Sequence, residues 1–195
     1  FLLHLVKKLT PGCKRDKLLI ESIQINGMLF FFNLYPQIKN MDAIKLDFIQ
    51  HGVMKKLNSL SSTAVAKWGK MNGQQMVEHL SLIFSASSGK IKATLATPEE
   101  YLPKAKEFLW SDKEFRENTK APSDFVPEEP MPLKHATMPL ALQELQDELD
   151  YFFKYFDENP GIKTMHPAFG ELNFEDWIQG HYKHVVHHLK QFELL

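Results

Sequence analysis

The chain has 195 residues, of which 44% are hydrophobic and 24% are charged, and its formal net charge at pH 7 is −1. This length suits one domain, or one domain with a tail, and it is long enough to bury a core. A net charge near zero gives no general reason to expect nucleic acid or an acidic membrane as a partner. Because Cys13 is the single cysteine, the chain cannot form an internal disulfide. This fits a reducing, cytoplasmic compartment, and a metal site would have to use histidine and carboxylate ligands.

Residues 1–40 differ in charge from the rest of the chain, with a net charge of +4 against −5 for the remainder. Their apolar runs are short, none approaches the roughly 18 residues of a membrane span, and no secretory signal is clear. Three interpretations are open: an extra packed helix or strand, an adhering extension, or sequence upstream of the natural start. Since Met41 opens a helical pattern, we favour the third. We expect an N-terminal extension over 1–40 and one domain over 41–195.

Two amphipathic helices are predicted after Met41. The first ends at the polar stretch SLSST, residues 59–63. The second is predicted to start at Asn72, with Gln75 as its capping-box partner. This assignment places His79 about two turns inside the second helix, where it can face the core. The expected apolar faces are Ile44, Phe48, Val53, Met54, Leu57 and Leu60 in the first helix and Met76, Leu80, Ile83 and Phe84 in the second.

A short accessory helix, a long loop and a third long helix are predicted next. Residues 97–100, TPEE, are typical of a helix start, and this helix extends to about Trp110. The proline-rich residues 111–138 show no period, which predicts a long loop, either a lid over the helices or a mobile segment. The third helix runs from about Pro139 to Asp157 and stops at the sequence NPG. Its expected buried side is Leu142, Leu145, Leu149, Phe152, Phe153 and Phe156.

The last helix is predicted over Asn173–Leu195. Asn173 is its expected cap, and Glu175 and Asp176 suit its first turn. Strand alternation is not convincing outside residues 1–40, and no internal repeat is evident. The prediction is an all-α protein, a four-helix bundle with a short accessory helix and a long proline-rich loop.

Four of the nine histidines lie in this last helix, and His184 and His188 are four residues apart. That spacing stacks two imidazoles on one helix face, so both can reach one ion. The best candidate for a third ligand is His79. Three neutral imidazoles would leave a tetrahedral zinc ion one open position, where it would lower the pKa of water to about 7 or bind a thiol as its thiolate. Hydrolysis and thiol transfer are the reaction types that fit.

The histidines also have a plainer interpretation, since histidine-rich helices occur as solvated basic faces or as hydrogen-bonded core imidazoles. Here one helical stripe consists of Trp177, His181, His184, His188 and Gln191. This stripe favours imidazoles that point inward. Buried imidazoles need partners, and a shared cation supplies one. Trp177, like Trp68, is expected to pack in the core rather than stack on a substrate.

Three segments together resemble the DinB/YfiT-like superfamily of metal-dependent enzymes, in its branch of uncharacterised bacterial DinB-like domains. They are WGKMNGQQMVEHL at 68–80, HPAFGELNFEDW at 166–177 and HYKHVVHHLKQF at 181–192. The resemblance covers about residues 42–195. It implies a four-helix bundle in which one histidine of the second helix and two of the last hold a divalent ion, most often zinc or nickel. By position these ligands are His79, His184 and His188. His187 matches a histidine that is often present beside the last ligand and need not bind the ion.

Activities in that superfamily vary more than the fold does. Members include thiol transferases that use low-molecular-weight thiols such as bacillithiol, a mycothiol-dependent isomerase and domains of sulfur-transfer enzymes. Membership of the superfamily does not select among these activities. The hypothesis from the metal chemistry is a metal-dependent hydrolase or thiol-linked transferase that acts on a small-molecule substrate, such as a low-molecular-weight thiol, without nucleic acid or membrane partners. The alternative is a non-catalytic metal-binding bundle, structural or stress-related, and a homodimer is left open. A third interpretation is a helical scaffold with satisfied core histidines.

Four residues are candidates for orienting the metal ligands by hydrogen bonds without binding the ion themselves. They are His181, Glu78, Glu171 and Gln191. Glu78 adjoins His79 but points about 100° away on the helix, which favours a surface charge. Glu171 and His166 flank the start of the last helix. A loop carboxylate and a packed His-Pro turn would explain these two as well as catalysis does.

Other catalytic classes lack their motifs. No glutamate is followed three residues later by a histidine, as a bundle di-iron site requires. The chain has no His-Glu-x-x-His motif and no cysteine pair for a zinc finger. The sequence SSGK at 87–90 lacks the preceding glycine and strand of a phosphate loop, and no strand-turn-helix elbow of a serine hydrolase is visible.

Overall fold

The computed structural model of the chain describes residues 42–119 and 129–195 and the backbone of two strands before them. Two compact units are present, Phe1–Met41 and Asp42–Leu195. The second unit is mainly helical, as the sequence predicts, and it contains all the candidate site residues. Among the described residues, no helix combines the length and the apolar character needed to cross a membrane.

The first unit contains a short antiparallel hairpin. Strand β1 spans Ser22–Ile25 and strand β2 spans Met28–Phe31, with Ser22 opposite Phe31. The other predictions for residues 1–40, including an origin upstream of the natural start, fall outside the described residues.

The second unit begins with a helix that a π-helical segment interrupts. Helix α1 spans Ala43–Asp47, helix α2 spans Val53–Leu57, and Phe48–Gly52 between them is π-helical. A π turn contains more residues than an α-helical turn, so the side chains before and after it do not lie on one regular helical stripe. The predicted apolar face is accordingly wrong at Ile44, which is 77% exposed, and it omits Ile49, which is fully buried.

Helix α3 spans Gly73–Ser87 and carries His79. The predicted capping box is present: Asn72 Oδ1 accepts the Gln75 N–H at 2.9 Å, and Gln75 Oε1 accepts the Asn72 N–H at 3.0 Å. These two bonds fix the residue at which α3 starts and therefore the position of His79 along the helix axis. Its buried apolar face contains Met76, Val77, Leu80 and Phe84.

A single 3₁₀ turn, Glu99–Tyr101, leads into helix α4, Leu102–Trp110, at the position predicted for the accessory helix. The described parts of the long loop after it, residues 111–119 and 129–137, contain neither helix nor strand. The start of this loop is tied to the last helix, because Lys183 Nζ donates to the backbone carbonyls of Ser111 and Lys113.

Helix α5 spans Met138–Glu158 and packs along α3. Its buried side recurs every three to four residues, which explains why the sequence predicts it well. Phe152 meets Phe84 of α3 edge to face, with ring centroids 5.8 Å apart. Two predicted core residues, Leu142 and Phe153, are only partly buried. The buried residues are Met138, Ala141, Leu145, Leu149, Phe152 and Phe156.

A second hairpin, which the sequence analysis did not predict, precedes the last helix. Strands β3, Thr164–His166, and β4, Gly170–Leu172, pair antiparallel. Three-residue strands are too short for an alternating pattern to be visible in the sequence. The prediction of an all-α chain is therefore corrected to a mainly helical one.

Helix α6 spans Phe174–Gln191, so it ends four residues before the predicted end. Asn173 caps it in a reciprocal box with Asp176, whose N–H lies 2.9 Å from Asn173 Oδ1. The helix packs against α1, α3 and α4. This packing turns its histidine stripe towards α3, where His79 lies.

Candidate metal centre

The structure brings His79 of α3 together with His184 and His188 of α6. Nε2 of His184 lies 3.0 Å from Nε2 of His79 and 3.0 Å from Nε2 of His188. One nitrogen of each ring lies within 4.8 Å of the other two, and the rings meet edge to face with centroids 4.6 to 5.0 Å apart. The three histidines are therefore close enough to bind one metal ion.

All three imidazoles are held neutral at neutral pH. Burial lowers the pKa of His79 to about 4, with the charge of His187 as a smaller cause. Burial also holds the pKa of His184 and of His188 well below the ordinary value, and repulsion from neighbouring histidines adds to it. Since a neutral imidazole has one lone pair free for coordination, all three side chains are in the form that binds metals.

Gln191 holds His188 through Nδ1, the ring nitrogen that does not face His184. His188 Nδ1 lies 2.7 Å from Gln191 Oε1, and Gln191 Nε2 donates to the backbone carbonyl of Trp68 at 2.6 Å. A carbonyl oxygen only accepts, so the Trp68 bond fixes the orientation of the amide and turns its oxygen towards His188. His188 must then carry its proton on Nδ1, which leaves a lone pair on Nε2.

Hydrogen bonding alone does not satisfy the three nitrogens. A neutral imidazole has one N–H, so His184 Nε2 can donate one linear bond, to His79 or to His188 but not to both. If His184 instead carries its proton on Nδ1, that proton is buried and has no partner among the described residues. Either way, one of the 3.0 Å contacts stays unsatisfied. A cation shared by three lone pairs satisfies both short contacts, although the Nδ1 proton of His184 stays without a partner in the described part of the chain, so the donor set fits a divalent metal.

His181, a predicted supporting residue, lies in the apolar core and is 1% exposed. Its ring stacks on Phe84 with centroids 3.8 Å apart, and its Nε2 lies 3.0 Å from Ser87 Oγ. Because that hydroxyl donates to the Phe84 carbonyl at 2.7 Å, it accepts from His181. Its hydrogen bond thus goes to a hydroxyl of α3 and not to a candidate ligand.

Glu78 anchors the end of the long loop. Its carboxylate accepts the backbone N–H groups of Lys134 and His135 at 2.8 and 3.0 Å and a side-chain N–H of Gln74 at 3.1 Å. Glu171 is an exposed residue of β4. Of the four predicted supporting residues, Gln191 is thus the one that the structure places in contact with a candidate ligand.

His166 forms the packed His-Pro turn that the sequence left as an alternative. Its Nδ1 accepts the backbone N–H groups of Ala168 and Phe169 at 2.9 and 3.3 Å, and burial lowers its pKa to about 4. Trp177 is 2% exposed and donates to Thr164 Oγ1 at 2.7 Å, so it is a packing residue as predicted. These residues set the entry of the chain into α6.

A cavity of about 110 Å³ lies next to the cluster. His187 is shared by the two, because its ring lines the cavity and its centroid is 5.2 Å from that of His188. The ring also meets Trp68 edge to face, with centroids 5.6 Å apart. The walls combine aromatic and charged groups, which suits a small molecule with both apolar and polar parts. They are Trp68, Glu114, Phe115, Glu117, His187 and Lys190.

Two partners at the centre were missed by the sequence analysis. The Trp68 carbonyl, which orients Gln191, belongs to the backbone and therefore has no residue-type signal. Ser87, the partner of His181, follows its acceptor carbonyl by three residues, and serine at a helix end is too common to single out. The i, i+4 histidine spacing was the one strong signal in the sequence.

Comparison with known proteins places the second unit in one family. The family described as "Protein of unknown function (DUF1569)" matches residues 41–194, a range that includes all three candidate ligands and Gln191. No curated protein and no solved structure matches the chain. The matched range covers well over half of the 195 residues. The chain therefore belongs to the family described as "Protein of unknown function (DUF1569)".

Proposed function

We propose that this protein is a divalent-metal-dependent enzyme, a hydrolase or a thiol-linked transferase, with His79, His184 and His188 as the metal ligands. The observation that carries the proposal is the convergence of three neutral imidazole nitrogens, two pairs of which are 3.0 Å apart. Zinc or nickel suits such a donor set. When bound, the ion supplies a Lewis acid that lowers the pKa of a water or thiol in its open position.

The proposal includes a DinB/YfiT-like four-helix bundle. Its first helix would be the α1–α2 segment with its π turn, followed by α3, α5 and α6, and α4 would be the accessory helix. Two packing relations support this arrangement: α5 packs along α3, and α6 packs against α1 and α3. The ligands then come from the second and the last helix, as the resemblance implies.

The protein's own residues would bind and orient the substrate. His79 and His184 keep part of their surface in contact with solvent, whereas His188 is 6% exposed. A small molecule would approach the centre from the side of these two partly exposed rings. The cavity beside His187 would hold the body of that molecule, such as a low-molecular-weight thiol conjugate, between Trp68 and Phe115.

Metal content tests the proposed site. The wild-type protein, stripped with chelator, reloaded with zinc or nickel and dialysed, should retain one ion per chain, and His184→Ala should retain none. His51→Ala is the matched control, because this histidine is an exposed one with a 3.4 Å contact to Asp47. A folded wild-type protein without retained ion would overturn the proposal.

Activity then separates catalysis from a structural ion. The loaded protein should turn over a thiol conjugate or a simple ester or amide, and His184→Ala should abolish this turnover. Retention of the ion without turnover in either substrate class would favour the non-catalytic metal-binding alternative.

A further inference from the structure

We propose that Gln191 is a positioning residue that, together with the Trp68-Gly69 turn, locks His188 in the tautomer that can bind a metal; this inference rests on the proposed function. The amide of Gln191 makes two bonds in opposite directions. Its oxygen accepts from His188 Nδ1 at 2.7 Å, and its nitrogen donates to the Trp68 carbonyl at 2.6 Å. A side chain held at both ends of its amide has a fixed orientation.

The Gln191 amide determines which of the two ring nitrogens of His188 carries the proton. A free neutral imidazole carries its proton on either nitrogen, and only the unprotonated nitrogen coordinates a metal. With the Gln191 oxygen at Nδ1, the proton stays on that atom and Nε2 remains available 3.0 Å from His184 Nε2. Loss of this acceptor would free the ring to turn and to carry its proton on Nε2.

Gly69 allows the turn before α3 to lie close to the Gln191 side chain. It has a φ of +79°, which suits glycine, and a Cβ at this position would lie 2.7 Å from Gln191 Nε2. The neighbouring Lys67 N–H donates to the Gln191 backbone carbonyl at 2.9 Å, and Lys67 Nζ pairs with Glu193 at 2.9 Å. The turn before α3 is thus joined to the end of α6 by both backbone and side-chain bonds.

The three candidate ligands are not supported equally. His184 Nδ1 is buried and has no partner among the described residues, whereas His188 has the Gln191 amide. Outer partners of metal ligands typically affect metal affinity 10- to 100-fold. Because His188 carries the one such partner seen at the cluster within residues 42–119 and 129–195, its loss should weaken binding by a factor in this range.

The test is a competitive zinc titration against a chromophoric chelator, with Gln191→Met, Gln191→Glu and Gly69→Ala beside the wild-type protein. Methionine has a similar length but lacks both bonding groups, so Gln191→Met should bind zinc about 10- to 100-fold more weakly. Glutamate keeps an acceptor for His188 but loses the donor to the Trp68 carbonyl, so Gln191→Glu should bind zinc more tightly than Gln191→Met and more weakly than the wild type. Gly69→Ala should weaken binding as Gln191→Met does, since it displaces the amide without removing it.

Gly89→Ala is the matched control. Gly89 also has a positive φ, +74°, but a Cβ at this position would lie 3.4 Å from the Tyr155 hydroxyl and would not touch Gln191. This variant should bind zinc as tightly as the wild type. Cobalt-loaded samples should show an altered visible spectrum in Gln191→Met and a spectrum closer to wild type in Gln191→Glu. Wild-type affinity in both Gln191→Met and Gly69→Ala would overturn the inference and leave the proposed function standing. Equal losses in Gln191→Met, Gln191→Glu and Gly89→Ala would also overturn it, because general destabilisation would then explain them. A wild-type protein that binds no zinc would instead contradict the proposed function.

Discussion

Replacing His166 with asparagine should make the fold less sensitive to acid. Burial lowers the pKa of His166 from 6.5 to about 4, and its Nδ1 already accepts two backbone N–H groups. Between these pH values the unfolded chain binds a proton that the folded protein does not, so stability is present above pH 6.5 and is lost as the pH falls towards 4. At about 1.4 kcal/mol per pH unit, His166 should cost the fold about 2 kcal/mol between pH 7 and pH 5.

Asparagine suits this comparison, because its side-chain oxygen can accept the same backbone N–H groups in a turn and does not titrate. Urea unfolding of both proteins at pH 7 and pH 5, with excess chelator, can be followed by tryptophan fluorescence, since the Trp177 ring lies 5.2 Å from His166. The other buried histidines are common to both proteins. The wild type should lose about 2 kcal/mol more than His166→Asn. Equal losses would show that His166 does not resist protonation in the folded protein.

Four further substitutions test the packing and the anchors. Phe84→Ala empties a fully buried site and should lower the free energy of unfolding by about 3–5 kcal/mol; a loss below about 1 kcal/mol in urea would contradict the packing. Asn72→Ala and Asn173→Ala each remove half of a capping box and should each cost about 1 kcal/mol in the same assay, so wild-type stability in both would argue against the boxes. Glu78→Ala should speed tryptic cleavage after Lys134 without changing the metal content. Unchanged cleavage would show that the carboxylate does not hold the loop.

Local signals in the sequence predicted the helix starts well. Asn72 with Gln75 and Asn173 with acidic residues after it are short-range patterns, and both caps are present in the structure. Such patterns work because the bonding groups are three residues apart and need no information from the rest of the fold. The same reasoning explains the success with α5, whose apolar residues keep one regular period.

Two of the failures occurred where the backbone departs from a single period. The π-helical segment Phe48–Gly52 changes the rotation of the first helix, so Ile49 was missed and Ile44 was assigned to the core. Strands β3 and β4 have three residues each, which is too few for alternation to be recognised. These features depend on the tertiary packing around them rather than on residue pattern.

The candidate site was predictable to the extent that its residues share one helix. The spacing of His184 and His188 fixes their relation, and Gln191, three residues after His188, lies on the same stripe. His79 was named as the best candidate for the third ligand from its place inside the second helix, and the resemblance implies the same residue. A ligand from another helix has no fixed spacing to the others, so its distance from them could not be predicted. The Trp68 carbonyl could not be predicted, since the turn that presents it is formed only when the start of α3 meets the end of α6.

The proposed metal centre requires that three histidine nitrogens bind one divalent ion. X-ray absorption spectroscopy at the metal edge of the zinc- or nickel-loaded protein tests it most directly, because it counts the imidazoles bound to the ion. For zinc we expect three imidazole nitrogens at about 2.0–2.1 Å and one further ligand, such as a water oxygen, in the open position, and no such site in His184→Ala. A wild-type spectrum without imidazole nitrogens, or one that is unchanged in His184→Ala, would contradict the claim.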